Sequence, residues 1–240
     1  MPLLVITYRF TFGDGRQETF VIRLDPQTIE PVELLPADLP NWTRLAFHQC
    51  SHCPLDPNVH AHCPLAARMV GIVDRFTEII SYEEIHVEVD TPERKVSKQT
   101  TAQIGLGALM GLVMATSGCP MTELFKPMAA FHLPMASSDE TTYRAASMYL
   151  LAQYFLFKET GKADLSLQGL EDFYRSIEVL NMHMANRVRA AVAHDAAINA
   201  IVELDFFAKN FTFGLEDRLK ELRHLFEPYM DRFKNKISNE

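Results

Sequence analysis

Three cysteines fall within fourteen residues: Cys50, Cys53 and Cys63 form a C-x2-C-x9-C run, and Cys119 follows after 55 intervening residues. The chain has four cysteines in all, the number that one tetrathiolate centre requires. Thiolate sulfur is the ligand that zinc and iron–sulfur clusters favour. The x2 spacing lets Cys50 and Cys53 reach a common centre from one turn. Proline follows three of the four, in Cys53-Pro54, Cys63-Pro64 and Cys119-Pro120. Its fixed φ and missing N–H stiffen a ligand loop.

Structural zinc sites commonly combine two close ligand pairs. Here three ligands share one loop and the fourth is remote, with no second close pair. That three-plus-one layout with Cys-Pro resembles the ferredoxin arrangement of a [4Fe-4S] cluster, although the x9 gap departs from the tight ferredoxin spacings. The cluster is the preferred expectation for Cys50, Cys53, Cys63 and Cys119, with Zn2+ as the alternative. In a zinc site, His52, His60 or His62 could replace a sulfur, and His132 could support one from outside the ligand set. Other readings stay open: Cys119 as a simple buried thiol, Cys50–Cys53 as a redox dithiol, or a packed loop that binds nothing. The dithiol needs a βαβ context that a Pro/His loop does not supply. Met110, Met114, Met121, Met128 and Met135, with Met182 and Met184 beside His183, would suit Cu(I), but methionine at helical spacing more commonly fills core gaps.

The elements that must position these residues follow from periodicity. Ile6, Tyr8, Phe10 and Phe12 alternate with polar neighbours, Gly13-Asp14-Gly15-Arg16 turns the chain, and Phe20, Ile22 and Leu24 alternate after it, which predicts a hairpin over residues 3–24. Ile85, Val87 and Val89 begin a second, turning at Thr91-Pro92-Glu93 toward Lys95–Gln99. Residues 36–63 form a long Pro/His/Cys loop, of the kind normally functional or held by something. A helix is expected from Pro64, with Met69, Ile72, Val73, Phe76, Ile79 and Ile80 as its apolar stripe.

From about residue 101 the pattern is helical. Gln103–Ser117 ends at Gly118-Cys119-Pro120. Ser137-Ser138-Asp139-Glu140 contains a capping box for a helix ending at Gly161. One long or broken helix is expected over about 166–210, and a final amphipathic one after Gly214. Gly105, Gly107 and Gly111 lack dinucleotide-binding spacing and instead predict a close approach by another helix or by the cysteine loop. Arg187, Asp195, Asn199 and Asp205 lie among apolar residues, as a ligand- or dimer-facing seam or as an ordinary polar boundary. The fold class expected is α+β: a small N-terminal antiparallel sheet from two hairpins packed on a larger helical body. A single domain, 1–240, would divide into 1–100 with the hairpins and cysteine loop and 101–240 as the helical body.

The 240 residues are 48% hydrophobic and 22% charged, ordinary globular composition. Twenty-three basic against 31 acidic residues give a net charge of −8, which argues against a nucleic-acid partner. The N-terminus has no secretory pattern, and the longest low-polarity stretch, Ile104–Thr116, is shorter than the roughly 20 residues a spanning helix needs. A cytoplasmic protein without a membrane partner is expected, meeting a protein partner or a second copy through its helical body. No nucleophile elbow, acid/base pair or phosphate loop stands out, so no catalytic residue is assigned. An enzyme using a thiolate-bound metal as Lewis acid and a metal-independent interaction module are the alternatives.

Ala102–Pro120 with Pro127–Pro134, together with Cys50-Ser51-His52-Cys53-Pro54-Leu55, resemble an uncharacterised bacterial four-cysteine family. The resemblance implies no activity.

Overall fold

The computed structural model describes residues 2–190 and 196–237. Its strands are β1 (Leu4–Phe12), β2 (Gln17–Leu24), β3 (Glu84–Asp90) and β4 (Lys95–Thr101). They form one antiparallel sheet in the order β2-β1-β3-β4. Two hairpins, β1–β2 and β3–β4, are joined through β1 and β3, with Thr7 opposite Asp90 and Phe12 opposite Ile85. The helices are α1 (Pro64–Arg75), α2 (Ala102–Thr116), α3 (Lys126–Ala130), α4 (Ser138–Thr160), α5 (Gln168–Arg189), α6 (Ala196–Leu222) and α7 (Glu227–Ile237). The fold is α+β, with the sheet N-terminal.

The chain forms two compact units, one of Met1–Met135 with Arg175–Ala208 and the other of Ala136–Tyr174 with Lys209–Glu240. The first contains the sheet. Period two places Ile6, Tyr8, Phe10 and Phe12 of β1 beside Ile85, Val87 and Val89 of β3 on a buried face. On the other face, Arg9 pairs with Asp90, and Lys95 reaches Glu88 at 3.0 Å. The edge strand β4, KVSKQTT, is mostly exposed, and its lysines discourage pairing with another chain. Phe76, just after α1, packs on Phe10, Phe12 and Phe20 with ring centroids 5.1–6.0 Å apart.

Helix α2 is apolar almost all round and correspondingly buried. It packs on the sheet through Gly105, where an added Cβ would lie 2.7 Å from Val87 Cγ2 and 3.2 Å from Ile85 Cδ1. The closest of the three glycine approaches is thus to the sheet, while a Cβ at Gly107 would face the Ala200 carbonyl of α6 at 3.6 Å. Leu180, Met184 and Val188 of α5 and Ala197, Ala200 and Ile201 of α6 complete the same core.

In the second unit, Ser137 caps α4 through the expected capping box with Glu140, and Gly161 ends the helix in the left-handed region at φ 73°. Tyr174 stacks on Phe211 at 3.9 Å. Two expectations change here. Gly214 lies inside α6 rather than before a new helix, and the final helix begins at Glu227 after a 3-10 turn. Phe76, Ile79 and Ile80, assigned to the stripe of α1, lie beyond that helix; Phe76 and Ile79 are buried and Ile80 is exposed. Asp195 lies outside the described residues.

Candidate metal centre

The loop after β2 is held in shape before any cysteine is reached. A 3-10 turn at Asn41–Thr43 buries Trp42 and Thr43. Thr43 Oγ1 lies 2.7 Å from both the Pro40 carbonyl and His62 Nδ1. The Cys63 N–H donates to the Thr43 carbonyl at 2.8 Å, and the Leu45 N–H to the Ala61 carbonyl at 3.0 Å. These bonds bring the two ends of 43–63 side by side. Within it, the Cys53 N–H donates to the Cys50 carbonyl at 3.0 Å, closing the turn that carries both cysteines. The Gln49 side-chain amide ties that turn to the Leu55 carbonyl at 2.9 Å.

Cys63 is the N-cap of α1, with Pro64 at the first helical position and no capping bond from its side chain. Cys119 is set by the end of α2. Gly118 takes φ +80°, the Cys119 N–H donates to Ser117 Oγ at 3.2 Å, and the Cys119 carbonyl accepts from the Thr122 N–H at 3.0 Å.

Cys50, Cys53, Cys63 and Cys119 line one cavity, and all four are free thiols. Leu45, Leu55, Leu180 and Met184 form much of its apolar wall. About 20 Å³ of space lies among these side chains, room for one water-sized body. Among the described residues, no group of three or more His, Cys, Asp or Glu side chains is already drawn together as the ligands of a single ion. Burial, then the neighbouring thiols, pushes Cys50 up to about 12; Arg187 acts in the opposite direction. Burial likewise pushes Cys119 up to about 11, against a lowering contribution from the Met121 N–H.

The most informative residue at the cavity is Arg187, on α5. It is 1% exposed. Its Nη1 donates to the Trp42 carbonyl at 2.9 Å and the Arg44 carbonyl at 2.7 Å, and Nη2 donates to the Leu45 carbonyl at 2.9 Å. Nε is buried without a hydrogen-bond partner. Burial lowers the guanidinium pKa, and Cys63, Cys50 and Cys53 oppose that shift. Among the described residues no carboxylate pairs with this charge. The sequence hint was an arginine in register with Leu180, Met184 and Val188, where an amphipathic helix should be apolar.

None of the candidate histidines lines the cavity. His62 bonds to Thr43, His60 is exposed, and His132 Nε2 lies 2.5 Å from the hydroxyl of Tyr8, in the sheet. His52 packs near His183; burial and then that neighbour hold its pKa below the usual histidine value. Of the methionines, Met121 and Met184 reach the cavity wall.

Residues 6–227 match the model of a family described as a domain of unknown function, DUF6901, and the chain belongs to that family. No curated protein and no solved structure matches it. Among the described residues, no helix is long and apolar enough to cross a membrane.

Proposed function

We propose that this chain is a cytoplasmic metal-binding protein in which Cys50, Cys53, Cys63 and Cys119 hold one centre, a [4Fe-4S] cluster, serving as a redox or metal sensor or as an electron-transfer accessory. The carrying observation is the buried guanidinium of Arg187, which no carboxylate among the described residues pairs, at a cavity lined by four cysteines. A buried charge is costly unless paired. Thiolates drawn from these cysteines would supply the missing negative charge. The donor set fits the group: four sulfurs, apolar walls and a cation to offset part of the tetrathiolate charge. The three-plus-one layout favours a cluster.

A bound [4Fe-4S] cluster supplies reversible one-electron transfer. The chain's own residues do the rest. Arg187 holds the carbonyls of 42, 44 and 45 and offsets charge. Leu45, Leu55 and Leu180 keep water away. Cys119 joins the end of α2 to the 43–63 loop through the shared centre, so loss of the centre frees that loop and alters the surface it presents. Such coupling is what a sensor needs.

The small free space favours a second reading, a single structural Zn2+. Anaerobic reconstitution of the metal-free chain, with iron and sulfide in one arm and zinc in the other, tests both. A brown product with visible charge-transfer absorption, lost in Cys119→Ser, is the expected result. A colourless iron arm beside stoichiometric zinc uptake would replace the cluster with zinc, and uptake in neither arm would overturn the metal reading.

A further inference from the structure

Helix α4 carries thirteen consecutive uncharged residues, Ala145 to Phe157: AASMYLLAQYFLF. In a single chain, such a segment should be a core helix with its side chains covered. Its C-terminal half is exposed instead. Leu151, Tyr154, Phe155 and Phe157 are 55%, 54%, 56% and 52% exposed, and Tyr143, Leu150 and Leu156 are also exposed.

The pattern is ordered. Tyr143, Ser147, Leu150, Tyr154 and Phe157 recur at steps of four, three, four and three, the spacing of a seam between two helices. Leu151 widens the stripe on one side. The five on the stripe, Tyr143, Leu150, Leu151, Tyr154 and Phe157, each about half covered already, offer roughly 500 Å² of apolar surface. That lies at the upper end of the apolar patches of a monomer, so an interface of roughly 800 Å² per partner would draw in residues flanking the stripe.

We propose that this face is the contact between two copies of the chain, with α4 packed antiparallel on its two-fold mate near Leu150. Two observations favour a second copy over a different partner. The stripe is nearly free of charge, as in homodimer interfaces, which are more apolar than transient ones. The ends are complementary: Asp139 and Glu140 occupy the first turn and Lys158 the last, so an antiparallel pair sets the acidic turn of each copy toward the lysine of the other. This arrangement does not depend on the cysteine centre.

Sedimentation of the full chain tests it. A dimer is expected at about 10 µM, and the L150E/Y154E double variant should sediment as a monomer with an unchanged circular dichroism spectrum, since both side chains are already exposed in the single chain. Leu150→Cys, close to the proposed two-fold axis, should form a reductant-sensitive covalent dimer under mild oxidation, whereas Leu165→Cys should not. This second variant keeps the test decisive should L150E/Y154E misfold. A wild-type monomer at about 100 µM, a dimer that survives the double substitution, or equal cross-linking from both cysteine variants would overturn the proposal.

Discussion

The guanidinium of Arg187 donates to the carbonyl of Leu45 at 2.9 Å, across 142 residues of sequence, so a helix in the second half of the chain fixes the segment leading to three of its four cysteines. The same side chain bonds Trp42 and Arg44. Replacing Arg187 with Met leaves three carbonyls without this donor. We expect a loss of about 3 kcal/mol in stability, because unsatisfied buried acceptors and a broken charged network dominate. Urea unfolding of the two proteins measures it. Arg187→Lys keeps the charge but not the fork, and should fall between them.

Gly105 gives α2 its closest approach to the sheet. Gly105→Ala drives a methyl to 2.7 Å from Val87 Cγ2, so helix or strand must shift. We expect a destabilisation of about 1–3 kcal/mol from overpacking, despite the gain in helix propensity. Gly71→Ala, where nothing lies within 4 Å of the new Cβ, should be neutral or stabilising. Denaturation midpoints of the two variants decide the comparison.

Asp164, between α4 and α5, accepts hydrogen bonds from the Ser166 N–H at 2.8 Å, the Tyr149 hydroxyl at 2.8 Å and the Gly169 N–H at 3.0 Å. The Ser166 side chain, followed by the Gly169 N–H and Tyr149, holds its carboxyl well below the ordinary 3.8. Its stabilisation is therefore present above pH 3.8 and is lost as the pH falls through the folded-state value. Wild-type stability should drop in that acid range, and Asp164→Asn should remove this component. Unfolding free energy against pH for both proteins is the measurement.

The cysteines give metal binding a pH signature of the same sign, lost on acidification, but in a higher pH range. Burial keeps Cys50 and Cys119 protonated at neutral pH, with values pushed up to about 12 and about 11. Metal uptake must release those protons. Affinity should fall about tenfold per unit decrease in pH for each proton released. Chelator competition between about pH 8 and about pH 6 follows it. A flat profile would mean that neither thiol is a ligand.

Much of this molecule was legible in local sequence. Alternation marked β1, β2 and β3, because one face of the sheet is buried and the other is not. The Ser137–Glu140 capping box and Gly161 marked both ends of α4, because cap chemistry is local. Pro64 marked the start of α1. The cysteines could be grouped by count and chemistry, but their joint exposure to one cavity depends on bonds from Thr43 to Cys63 and from Ser117 to Cys119 that spacing does not encode. Arg187 was visible only as a charge in the wrong register, since its partners lie more than 140 positions away. Gly214 misled because α6 continues through it, where the residue alone favours a break. The partner of His132 was unreadable for the same reason as that of Arg187: Tyr8 is 124 positions distant.

Iron, acid-labile sulfide and zinc determined on the anaerobically purified full-length chain bear most directly on the cysteine centre. About four iron and four sulfide per chain, falling to background in a Cys50→Ser/Cys119→Ser double variant, is the result expected. A chain that carries none of the three elements, yet matches the double variant in folding and stability, would contradict it.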